Sequence, residues 1–362
     1  MGAEPLGSIR IVDADEVAAP LLSAFLDEAL GPAIQGFLSP HSDWWHRGHG
    51  HRWAALYDEA VAGYRAFVPT LILLDGRELP AAWGCDLFVL PRFRGLGLQR
   101  LLDERLAAAS DLVMSFPTDV GAEVYAKQGH GIRGDVPLYH VSLAPRALTQ
   151  TAHSVPGVLR YVAGRSRELG VRGTARQVLL RARTLGLRAQ TSRYRPTRTE
   201  RVDSPDPRAL EELFLRYVDH GVATTLRSAD FLRWRYLDAP YRSDVAFYLR
   251  GPTDREAQCA IVRFVRPARE ARILDVFGDL DDDEALADLV RTILGEAVHQ
   301  DIDRVTVLGS SPEIVRALQK AGFTRQVVRP FRWRARDPGV HERFSTIPLR
   351  WTLGDSCLDR RE

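Results

Sequence analysis

Lysine is nearly missing from this chain. Of 49 basic residues only Lys127 and Lys320 are lysine, and the rest are arginine. A GC-rich genome favouring arginine codons is the simplest account, so the bias alone assigns no partner. Cysteine is scarce too. Cys85, Cys259 and Cys357 are odd in number and widely spaced, which excludes a disulfide framework and offers no zinc-ligand spacing. No run approaches the roughly 18 consecutive apolar residues that a membrane-spanning helix needs. The opening Met1–Ser8 carries neither the basic start nor the apolar run of a secretory signal. A reduced, cytoplasmic protein is the expectation. Its 45% hydrophobic and 27% charged residues are those of a globular protein, and its 362 residues suit two domains of about 150 plus connections.

Hydrophobic periodicity predicts an α/β (α+β) protein. A strand at 8–12 precedes a helical pattern at 18–30, β-rich stretches cover 61–74 and 85–89 around the turn signal Asp75-Gly76, and a helix runs from 98 to 109. A strand at 112–116 then leads through Pro117-Thr118 into a helix ending near Gly129. From Pro207 the order repeats more faintly, and Ser311–Gly322 reads as a capped helix with proline at its start, parallel to Thr118–Gly129. Between the halves, Arg160–Arg201 holds 12 arginines against Glu168 and Glu200, a local charge of about +10 in a chain of net charge +2. The expected organisation is an N-terminal domain over 1–145, an Arg-rich helical connector over 146–205, a second domain over 206–337 and an extension over 338–362.

The stretch that carries chemistry is Val89-Leu90-Pro91-Arg92-Phe93-Arg94-Gly95-Leu96-Gly97-Leu98. A strand ends, a short Arg/Gly loop follows, and a helix starts at once. Glycines let the backbone approach a ligand, and the free amides of a first helical turn attract an anion. A pyrophosphate suits such a loop. Val89-x-Pro91 with Arg92-x-x-Gly95-x-Gly97 resembles the coenzyme A-binding motif of the GNAT acyltransferase superfamily. A second match, Thr118-x-x-Gly121-x-x-x-Tyr125-x-x-x-Gly129-His130, is similar to the family's Asn-x-x-Ala-x-x-x-Tyr-x-x-x-Gly-Phe, with Tyr and Gly in register and Asn, Ala and Phe replaced.

The resemblance implies two GNAT-like domains, each a mixed central sheet flanked by helices, with acetyl-CoA or another acyl-CoA as co-substrate and no metal. It implies acyl transfer to an amine or hydroxyl of a small metabolite or sugar intermediate. Phe88, Val89 and Arg92–Leu98 would hold the coenzyme, Tyr125 would be the general acid, and Asp86 is the first candidate base, with Glu123 and His130 behind it. Trp44, Trp45 and His46 either line an acceptor site or, for the tryptophans, pack in the core. The second half departs where it matters: Asp275, Asp279, Asp281, Asp282 and Asp283 crowd the corresponding position and would repel a pyrophosphate. It reads as a degenerate copy. The basic segment Arg160–Arg201 suits a solvated linker, an anionic membrane surface, a carrier protein or a tRNA. The competing readings are therefore a tRNA- or carrier-protein-dependent transferase of the same fold, or a non-catalytic scaffold.

Overall fold

A computed structural model describes residues 8–31, 44–45, 50–143, 198–251 and 257–356, together with Gly186, Ala189, Gln190 and Tyr194. Nearly all of the basic block, His46 and Cys357 lie outside the described residues. No described helix is long and apolar enough to cross a membrane. The chain forms two compact units. Unit 1 comprises Met1–Val136, Val218–Ser243 and Val328–Glu362, and unit 2 comprises Pro137–Tyr217 and Asp244–Val327.

Unit 1 begins with β1 (Ile9–Asp13), α1 (Ala19–Leu30), β2 (His51–Tyr57), β3 (Ala60–Leu74), β4 (Arg77–Val89), α2 (Leu98–Ala109), β5 (Leu112–Ser115) and α3 (Asp119–Lys127). After α3, β6 (Gly131–Ser142) starts in unit 1 and ends in unit 2. Unit 2 continues with β7 (Thr199–Val202) and α4 (Pro207–Tyr217), whereas β8 (Ala223–Thr225) and α5 (Ala229–Leu232) return to unit 1. Unit 2 resumes with β9 (Val245–Arg250), β10 (Gln258–Val265), β11 (Glu270–Gly278), α6 (Asp283–His299), β12 (Arg304–Leu308) and α7 (Pro312–Lys320). β13 (Thr324–Ala335) starts in unit 2 and ends in unit 1, which closes with α8 (Pro338–Thr346) and β14 (Leu349–Arg350).

The two sheets match strand for strand. In unit 1 the order is β1-β2-β3-β4-β5-β13, all neighbours antiparallel except the parallel pair β4–β5. In unit 2 it is β7-β9-β10-β11-β12-β6, again antiparallel except for β11–β12. The helices after β5 and β12 are capped alike: the Thr118 hydroxyl accepts from the Gly121 amide at 3.2 Å and the Ser311 hydroxyl from the Ile314 amide at 3.4 Å. The internal repeat expected from sequence is real at the level of topology.

The linear boundaries at 145, 205 and 337 do not coincide with the compact units. In each unit the strand that pairs with the second member of the parallel pair comes from the other half of the sequence. Arg332–Ala335 of β13 pairs with Leu112–Ser115, and Leu138–Ser142 of β6 pairs with Arg304–Leu308. Strand pairing between distant segments leaves no local sequence signal, which is why patterning alone gave contiguous domains.

Local chemistry explains the elements around the site. Leu74 pairs with Arg77 across Asp75 and Gly76, both at positive φ (49° and 75°), a two-residue hairpin turn that Asp-Gly favours. α2 buries Leu98, Leu102 and Leu106, spaced four apart on one face, against the sheet. On β2, Trp53 and Ala55 enter the cluster under α2, whereas Ala54 and Leu56 enter the cluster on the α1 side, as the period of two requires.

Candidate active site

β4 and β5 pair only over Ala81–Trp83 and Leu112–Met114. Beyond Trp83, β4 runs on to Val89 without a partner on that side. It is also bulged. Tyr64 pairs with Phe88 and Ala66 with Cys85, so Asp86 and Leu87 together oppose Arg65, and Asp86 takes a left-handed φ of 44°. A bulge of this kind turns the strand and takes backbone groups out of the ladder, and aspartate is among the few side chains that tolerate that φ. A cavity of about 370 Å³ opens here, lined by Arg65 on β3, Gly84–Phe88 on β4, Ser115 at the end of β5, Phe116–Thr118 after it, and Gly121, Val124 and Tyr125 on α3. Asp86, Phe88 and Tyr125 thus line one cavity.

Val89 and the loop Arg92–Leu98 do not line it; they follow directly from its β4 wall. The Leu90 amide donates to the Ala62 carbonyl at 3.0 Å, Pro91–Phe93 makes a single 3₁₀ turn, and Gly97 caps α2. Gly95 and Gly97 adopt φ of 89° and 78°, and a Cβ on either would meet nothing within 4 Å. Their glycines are demanded by backbone conformation, and the space above them is open. Arg92 is ion-paired with Glu28 and Arg94 donates to the Val89 carbonyl at 3.4 Å; both guanidinium groups are exposed.

Behind the cavity lies a cluster of buried charge. The Asp103 carboxylate, on the core-facing side of α2, is 3.3 Å from Arg65 of β3 and 3.5 Å from Arg332 of β13. All three side chains are under 5% exposed. The Arg332 guanidinium carbon lies 3.7 Å from the centroid of the Tyr125 ring, a cation–π contact. Gly84 makes room for Arg65, since a Cβ there would stand 2.1 Å from an Arg65 nitrogen. Burial raises the Asp103 carboxyl, but the guanidinium groups of Arg65 and Arg332 outweigh it and hold the group below its ordinary value. Burial raises the Tyr125 hydroxyl, and the Asp103 charge adds to this against the two arginines. Tyr125 therefore keeps its proton at neutral pH.

His130, packed edge-on to Tyr125 at 5.1 Å, is held neutral: burial and then the Arg332 charge bring it from 6.5 down to about 3. Between those values the unfolded chain binds a proton that the folded protein refuses, so stability falls as pH drops through this window. The expected loss is on the order of 3 kcal/mol at pH 4. Denaturant unfolding across pH 4–7 measures it, and a His130→Phe protein is expected to lose the slope. An unchanged slope would remove His130 as the cause.

The remaining sequence candidates sit elsewhere. Trp45 is 2% exposed and, with Trp44 and Trp234, fills the core cluster on the α1 side; ring centroids of the three lie 5.2–5.4 Å apart. Arg235 lies 4.5 Å over the Trp45 ring. Neither Trp44 nor Trp45 lines the cavity. Glu123 is exposed on α3. Arg65, Asp103 and Arg332 were missed by sequence reading, although each is a charged residue embedded in an apolar pattern: Gly63-Tyr64-Arg65-Ala66-Phe67, the Leu102/Leu106 stripe, and Phe331-Arg332-Trp333. Among the described residues no group of three or more His, Cys, Asp or Glu side chains could hold a metal ion.

Unit 2 has the same scaffold with different chemistry at the corresponding positions, where a cavity of about 240 Å³ is lined by Gln258, Asp279 and Asp282 among others. β11 also carries a bulge, at Leu274, but there the Val276 amide is taken by the Asp275 carboxylate at 3.0 Å. A Cβ on Gly278 would stand 2.2 Å from the Ala257 carbonyl oxygen, so the turn into α6 is packed by its own chain. The α6 N-terminus is capped by Asp282, which accepts from the Ala285 amide at 2.9 Å. The second half is a degenerate copy.

No family model matches this sequence, and no curated protein matches it. Solved structures do match in fold. N-myristoyltransferase from Saccharomyces cerevisiae with bound myristoyl-CoA aligns over 96% of this chain and 90% of its own, with TM-score 0.57 and 11% identity. A GCN5-related N-acetyltransferase from Anabaena variabilis aligns over 91% and 73%, with TM-score 0.54 and 14% identity. Another from Kribbella flavida aligns over 91% and 72%, with TM-score 0.53 and 14% identity. At such identities the likeness speaks for fold, and the chain is a tandem protein of the GNAT fold.

Proposed function

We propose that unit 1 transfers an acyl group, acetyl in the simplest case, from acyl-CoA to an amine or hydroxyl of a small acceptor. The observation that carries this reading is the cavity where β4 and β5 part, with a bulged strand on one wall, Tyr125 on another and an open, glycine-turned helix start following that strand. The helix start at Gly97 and the Arg92–Leu98 loop suit the pyrophosphate, whose charge is favoured by free amides and the positive end of α2. The pantetheine arm would lie along Phe88 and Val89, where β4 has backbone groups released from pairing. A thioester there meets amides at the bulge that can stabilise the oxyanion as the acceptor attacks. Asp86, at the bulge itself, would take the acceptor's proton and Tyr125 would donate to the departing sulfur, a reading supported by both lining one cavity.

The first test is calorimetry with acetyl-CoA and with free CoA. Wild-type protein is expected to bind both, and Gly95→Glu to weaken binding at least about a hundredfold by placing a like charge against the pyrophosphate. The substitution should cost only about 1 kcal/mol in stability, because the added atoms meet open space and only the positive φ resists them. Absence of wild-type binding to either ligand would sink the acyl-CoA reading.

A further inference from the structure

Unit 2 has its own cavity where β11 turns into α6, with walls that include Arg198, Tyr217, Arg250, Gln258, Asp279 and Asp282. Gln258 opens β10 and is 1% exposed. Its Nε2 donates to the carbonyl oxygen of Asp279 and, at 3.5 Å, to that of Asp282. Two acceptors on one side fix which end of the amide is nitrogen. The other end, Oε1, is buried and has no hydrogen-bond partner among the described residues. A buried acceptor left without a donor is costly. The charges nearby are sorted as well. Arg250 donates through Nε to the Ala285 carbonyl at 3.0 Å and stands 3.1 Å from the Asp288 carboxylate, so its charge is matched. Asp279 and Asp282 each accept one backbone amide, from Asp281 at 3.2 Å and Ala285 at 2.9 Å, through Oδ1, and each has a second oxygen to offer. The start of α6 does not invite an anion. The amides of Asp283, Ala285 and Leu286 are taken by the Asp281 carbonyl, the Asp282 carboxylate and the Asp282 carbonyl.

The cavity therefore offers an amide oxygen and two carboxylates, and lacks a donor for the first. We propose that it is the receptor for a small primary ammonium compound, whose charged amine donates to Gln258 Oε1 and to the Asp279 and Asp282 carboxylates. An ammonium carries three N–H donors and no acceptor, which suits three acceptors of this kind, two of them charged. A hard metal ion suits them less, since it takes six or more oxygen ligands, and among the described residues no group of three or more His, Cys, Asp or Glu could hold one. Arg198 is exposed at the same cavity. Its guanidinium would meet a carboxylate carried by the same ligand, so a simple amine and an α-amino acid share the ammonium chemistry and differ at Arg198. All of these residues belong to unit 2, and the assignment does not depend on the acyl-CoA reading of unit 1.

Saturation-transfer NMR titrations of the full chain with ethylammonium chloride, glycine and sodium acetate test it. Ethylammonium and glycine are expected to bind in the millimolar range, about the ceiling for ligands of three to five heavy atoms, and acetate not to bind. Asp279→Asn keeps the acceptor for the Asp281 amide and removes the charge. It should weaken both ammonium ligands about tenfold, the scale of one charge-assisted hydrogen bond. Glycine binding more tightly than ethylammonium, with the difference lost in Arg198→Gln, identifies the amino-acid class; equal binding identifies a simple amine. Acetate binding in place of the amines would overturn the assignment. So would equal binding of ethylammonium to wild type and Asp279→Asn, or its displacement by calcium chloride at lower concentration. If neither amine binds, the cavity holds only water and the assignment falls. Should the asparagine variant not fold, the three wild-type titrations still decide.

Discussion

Replacing Asp103 by alanine is expected to destabilise the protein by about 3–5 kcal/mol, the scale for removing one partner of a buried ion cluster. The loss is set less by the contacts removed than by what remains. Arg65 and Arg332 would face each other with the carboxylate between them gone. Arg332 has no retreat, being fully enclosed against the Tyr125 ring. Arg65 is confined by Gly84, where the sheet surface comes closest to its guanidinium. Denaturant unfolding with a two-state analysis measures the loss. The double variant Asp103→Ala/Arg332→Met is expected to recover part of it, because the charges couple directly. A single-variant loss below about 1 kcal/mol would mean that water screens the cluster.

Tyr125→Phe is expected to lower kcat by about 10²-fold with little change in KM, the lower end of the range for losing a positioned proton donor. The ring, its stacking on Arg332 and its edge contact with His130 are all kept by phenylalanine, so stability should stay within about 1 kcal/mol of wild type. A steady-state assay in the presence of the acceptor separates kcat from KM. An unchanged kcat would take Tyr125 out of the chemistry and leave it as a ring that roofs Arg332.

Much of unit 1 is readable along the chain, because its signals are local. Asp75-Gly76 gives the hairpin, the Leu98/Leu102/Leu106 spacing gives the helix, and Pro91 to Gly97 gives the turn between strand and helix. The glycines proved to be where positive φ requires them. The placement of Asp86, Phe88 and Tyr125 about one cavity follows from two motifs in register. The charge cluster is another matter. Asp103, Arg65 and Arg332 lie on three elements far apart in sequence, and nothing short of the fold tells that the three meet. Trp44 and Trp45 were ambiguous for a different reason: an aromatic pair has the same signature whether it faces a ligand or another tryptophan, and here it faces Trp234. The bulge was not read either, because a single aspartate in a strand pattern, although it tolerates the left-handed φ, is too weak a cue.

The exchanged strands bear on how the protein comes to exist. During synthesis the chain emerges in order, and folding of early segments ordinarily precedes completion of late ones. Here the edge of the unit 1 sheet beside β5 stays unpaired until residues 332–335 leave the ribosome, and Arg332 arrives with them. The nascent first unit thus carries Asp103 and Arg65 without the third member of their cluster, and an exposed strand edge of the kind that invites mispairing. A chain interrupted anywhere between His130 and β13 would hold every residue of both sequence motifs and still lack Arg332. Completion of the candidate site thus waits on synthesis of β13.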